Sequence, residues 1–84
     1  MTTHQMLLAI SHSDNEICAD KAKAILNGET TIEHELKYSG SFMTAVMKGD
    51  FKRAMECADM SNRIALSQYK LDKIDYQNIT GLTS

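Results

Sequence analysis

The chain contains no proline, only four glycines and two cysteines, and no long apolar run. Each shortage excludes something. Without proline nothing fixes φ or removes a backbone donor inside a helix, and a Pro-rich linker is ruled out. With glycine confined to positions 28, 40, 49 and 81, helix stops are few. Cys18 and Cys57 form no CxxC pair and lack the dense spacing of a secreted disulfide scaffold, so free thiols in a reducing cytoplasm are expected. The apolar run Met6 to Ile10 is too short for a signal peptide core or a membrane span, and no basic segment precedes it. A soluble protein that stays where it is made follows. Without a secretion signal, the sequon Asn78-Ile79-Thr80 has no chemistry behind it.

An excess of charge of one sign is also missing. The net charge is −2, with Lys and Arg scattered among Asp and Glu, which leaves no electrostatic footprint for nucleic acid or an anionic membrane. His4, His12 and His34 show none of the spacings that put two ligands on one metal, and no third residue is recognisable that would orient a His12–Cys18 or His34–Cys57 pair for nucleophilic catalysis. Gly40 and Gly49 fit neither G-x-G-x-x-G nor the P-loop pattern. No enzyme, metal or cofactor is expected.

What is present is helix-forming. Hydrophobic residues make up 43% and charged residues 24% of 84 residues, an ordinary globular composition for one domain. A chain this short buries only about 60 to 65% of its unfolded surface, so association with another chain is the cheapest source of extra stability. Thr3 to Ser11 reads as a short helix with Met6, Leu7 and Ile10 inward. Ser13 and Glu16 match the S-x-x-E capping box and predict a second helix from about Asp14, ending at Asn27-Gly28. Glu29 to Tyr38 is ambiguous between an extended start and one or two helical turns capped by Thr30 or Thr31, with helix preferred. Ser41 is expected to cap a short helix from Phe42 to Lys48; Gly49 ends it and Asp50 caps the next.

From Phe51 to about Asp75 no breaker appears, which predicts one long helix followed by a polar tail over 76–84. On a wheel, Phe51, Ala54, Met55, Ala58, Ala65, Leu66 and Tyr69 share a face, with Asn62 near its centre. Cys57, Met60, Ile64, Leu71 and Ile74 form a second apolar stripe on roughly the opposite side. Lys52, Glu56, Asp59, Arg63 and Lys70 run between them as a solvated flank, with Asp59 and Arg63 spaced as an i,i+4 ion pair. A helix apolar on two sides must bury both, and short helices offer little cover, so the second stripe is the candidate subunit interface. Asn62 is then either an amide satisfied within the monomer or a register-fixing contact across subunits. The methionines 43, 47, 55 and 60 fill a core or provide an adaptable surface.

Gly40-Ser41-Phe42, Ala45-Val46, Ala58-Asp59, Asn62-Arg63 and Leu66 together resemble small bacteriophage and prophage proteins with the pattern G-S-F-x-x-A-L…A-D-x-x-N-R-x-x-L. The resemblance covers residues 40–66. Val46 stands where that pattern has Leu, and after Leu66 this chain continues with SQYKLDKI. It implies a phage origin and a small helical fold without an assigned activity, and small phage proteins outside the virion commonly act by binding a host protein, for example one of host defence.

The expectation is an all-α single domain over 1–84: a small bundle of short helices around one long C-terminal helix, oligomeric and cytoplasmic. It should work by binding a host protein and copies of itself, without nucleic acid or membrane. The alternative is an oligomeric binder of a nucleotide-like anion, with Lys48, Lys52, Arg53 or Arg63 as contacts.

Overall fold

The computed structural model describes residues 1–69, and every regular element within them is helical. Helix α1 spans Thr3–Ile10, α2 Glu16–Leu26, α3 Ile32–Leu36, α4 Ser41–Met47 and α5 Phe51–Cys57, and a further helical segment, α6, occupies residues 60–69. Among the described residues, no helix is long and apolar enough to cross a membrane.

The helix ends explain the spacing of the elements. At α1, Thr2 and Gln5 form a reciprocal capping box: the Thr2 hydroxyl accepts from Gln5 N at 3.2 Å and the Gln5 side chain accepts from Thr2 N at 2.9 Å. Helices α2 and α4 end alike. Gly28 and Gly49 adopt φ of 77° and 76°, and the residue after each glycine donates back into the helix, Glu29 N to Ala24 O and Asp50 N to Ala45 O, both at 2.9 Å. Together with Gly28 N to Ile25 O and Gly49 N to Val46 O, both at 3.1 Å, these bonds complete two Schellman motifs. Gly49 is doubly constrained, since an added Cβ would lie 3.0 Å from Thr3 Oγ1 on α1. Asp50 caps α5 as anticipated, and of the two expected candidates for α3, Thr30 and Thr31, it is Thr31 that caps it.

Three expectations are corrected. Ser13 does not cap α2; Asn15 does, its side chain accepting from Cys18 N at 3.1 Å, so the helix starts at Glu16. Ser41 is the first residue of α4 and not its cap, that place being taken by Gly40 without a side-chain bond. The long helix from Phe51 is broken: α5 stops at Cys57, Ala58 is extended with ψ of 138°, and Asp59 opens α6 by accepting from Asn62 N at 2.8 Å. A short polar side chain that can bond its own downstream amide favours a cap over continued helix, and Asp59 does this without any proline or glycine nearby. Residues 70–75 of the expected helix and the tail over 76–84 lie outside the described residues.

Helix α1 is central. Met6, Leu7, Ala9 and Ile10 are all buried, and the helix packs against both α2 and α4, while α4 packs on α3 and α5. Met43, Ala45, Val46 and Met47 from α4, Ala22 from α2, Ala54 from α5 and Leu66 from α6 complete one core. The methionines at 43 and 47 are thus core filling, and Phe51, Met55, Ala65 and Tyr69 are partly buried against it. The inward face expected of residues 51–69 therefore holds, though two helices supply it.

Candidate functional site

Where α2 and α6 begin, their caps are joined. Asn15 uses its carbonyl oxygen to cap α2 and donates through Nδ2 to Asp59 Oδ2 at 2.7 Å, while Asp59 uses Oδ1 to cap α6. Asn62, only 2% exposed, lies just inside this bridge. Its Oδ1 accepts from the Ser13 hydroxyl at 2.7 Å and its Nδ2 donates to Cys18 Sγ at 3.5 Å. Ser13 Oγ in turn accepts from Asn15 N at 3.1 Å. Ser13, Asn15, Cys18, Asp59 and Asn62 therefore close a ring of hydrogen bonds linking segments 44 to 49 residues apart. Among the described residues no buried side-chain nitrogen or oxygen is left without a partner. Asn62 is satisfied inside the monomer, which is the first of its two expected roles.

The outer side of α6 is of the opposite kind. Met60 is 72% exposed and Ile64 is 53% exposed, each two positions from buried Asn62 and so about 200° around the helix. With Arg63 they border an open, mainly apolar depression of about 490 Å³. Cys57, assigned by the wheel to the same stripe, is half-buried at the end of α5, because the break at Ala58 resets the helical phase. Leu71 and Ile74 lie outside the described residues. Asp59 and Arg63 form no ion pair: Asp59 is occupied as cap and bridge, and Arg63 Nη2 donates to the Met55 carbonyl at 3.3 Å.

The cations considered for anion binding fall into two places. Lys48 and Arg53 border a depression between α4 and α5, whereas Lys52 and Arg63 border a separate one beside Phe51 and Met55. The histidines and cysteines do not pair as nucleophile and base. Cys18 accepts from Asn62, and His34 sits against Tyr38 with ring centroids 5.2 Å apart and its Nε2 4.0 Å from Glu35. Among the described residues no three His, Cys, Asp or Glu side chains gather to hold a metal ion.

Sequence reasoning found Asn62 and Asp59 but missed Ser13, Asn15 and Cys18 as their partners. The available signal was two short polar residues, Ser13 and Asn15, ahead of one helix, of which only one can be its cap. No known family, curated protein or solved structure matches the chain.

Proposed function

We propose that this chain is a non-enzymatic phage accessory protein that acts by protein binding, self-associating through the outer face of α6 and engaging a host protein, such as one of host defence. The observation that carries this reading is the exposure of Met60 and Ile64 side by side on a helix whose opposite side is anchored by Asn62 and Leu66. Because that anchor fixes the rotation of α6, the two side chains cannot turn inward, and adjacent exposed apolar groups are characteristic of interaction surfaces. Arg63 supplies a polar edge, as interface rims do.

Light scattering on a size-exclusion column tests the self-association. The wild-type chain is expected to run as an oligomer, and Ile64→Asp to run as a monomer with unchanged circular dichroism, since the new charge is desolvated only in the complex. A wild-type chain that stays monomeric at high concentration removes the self-association. Affinity capture from a host lysate, with Ile64→Asp as the control, tests the second partner: a polypeptide retained by both proteins equally is not held by this face.

A further inference from the structure

We propose that the concavity between α4 and α5 binds a small phosphorylated ligand through Ser41, Lys48 and Arg53. Ser41, Thr44 and Lys48 follow at i, i+3 and i+7 and so stand on one side of α4, above buried Ala45, whose small side chain leaves the floor low. Arg53 reaches the same space from α5, and together these residues border a depression of about 530 Å³. That size lies within the range of small-molecule sites. The elbow between the helices is fixed by the positive φ of Gly49 and the Asp50 N to Ala45 O bond, so the two cations project from a set frame.

Charge and hydrogen bonding select the ligand class. Neither the Lys48 ammonium nor the Arg53 guanidinium has a carboxylate partner among the described residues, where the ion pairs are Lys21 and His34 with Glu35. The Ser41 hydroxyl also makes no hydrogen bond there, unlike Thr44 and Ser39, which are engaged with backbone carbonyls. Asp50 borders the depression, but one of its oxygens already accepts from Arg53 N at 3.0 Å. Two cations and a free hydroxyl border the depression against the single carboxylate of Asp50, which leaves its lining net positive and rich in donors. An anion with several oxygens satisfies all three at once, and the guanidinium fork matches two phosphate oxygens.

Backbone amide shifts of the isotope-labelled protein, titrated at constant ionic strength, test the proposal, with inorganic pyrophosphate in one arm and AMP in the other. Saturable shifts at Ser41, Thr44, Lys48 and Arg53 are expected. Either arm saturating supports the site, and the tighter one tells whether it takes bare phosphates or a phosphate carried on a larger group. Lys48→Gln and Arg53→Gln, both at exposed positions, should each weaken binding at least about tenfold, while Ile64→Asp should leave it unchanged, which separates this site from the α6 face. Shifts that do not saturate, that sulfate reproduces at equal concentration, or that survive both Gln variants overturn it.

Discussion

Asn62 and Ile64 stand two residues apart on α6 and reverse the ordinary rule of polar outside and apolar inside. The amide is 2% exposed and the isoleucine 53% exposed. The inner position tolerates a polar group because each polar atom of that group has a partner: Ser13 donates to its oxygen and Cys18 accepts from its nitrogen. The outer position tolerates an apolar group because nothing polar is buried by it. The free energies differ in kind. At Asn62 specific partners must be kept, whereas at Ile64 only the amount of wetted apolar surface matters, and that matters chiefly when another molecule covers it.

Substitutions on α6 can break this contrast. The largest effect is expected from Leu66→Ala, which leaves a cavity at a fully buried site beside Asn62 and should cost about 2 to 5 kcal/mol in chemical denaturation. Next comes Asn62→Ala, which strands the Ser13 hydroxyl and should cost about 1 to 3 kcal/mol. If Ser61→Ala lowers the melting temperature as much, the ring of bonds is not what holds α6. A double-mutant cycle of Ser13→Ala and Asn62→Ala sharpens the point, with a coupling of about 0.5 to 3 kcal/mol expected for partners in direct contact and none for independent sites. Asp59→Ala removes a helix cap and the partner of Asn15, so about 0.5 to 2 kcal/mol should be lost, with amide exchange rising at the starts of both α2 and α6. Faster exchange in α6 alone would show that the two caps are independent. The smallest effect belongs to Ile64→Ser, within roughly 0.5 kcal/mol for the isolated chain, because a solvent-facing substitution disturbs neither packing nor a network. A large loss there, measured on monomer, would mean that the outer face is core.

The inward face of residues 51–66 was legible because burial repeats at helical spacing whether one helix or two carry it. Both glycine stops were legible too, since a left-handed residue after a helix strongly favours glycine. The break at Asp59 was not. An Asp four residues before an Arg reads equally well as a helical ion pair and as a cap, and the choice falls to Asn15, 44 residues away, which binds the second carboxylate oxygen. The start of α2 was misplaced for a related reason. Ser13 is a good cap by residue type, but its hydroxyl is held by Asn62 and by Asn15 N, which leaves the cap to Asn15.

Sequence alone determined the helical class, the stops at Gly28 and Gly49, the cap at Asp50, and the exposure of Met60 and Ile64 opposite a buried amide. These depend on local φ and ψ preferences and on periodicity, which act within a few residues. Tertiary structure decided where α5 ends, which residue caps α2, and what satisfies Asn62. In each case a short polar side chain could take more than one partner, and the one it takes is set by a hydrogen bond to a distant segment.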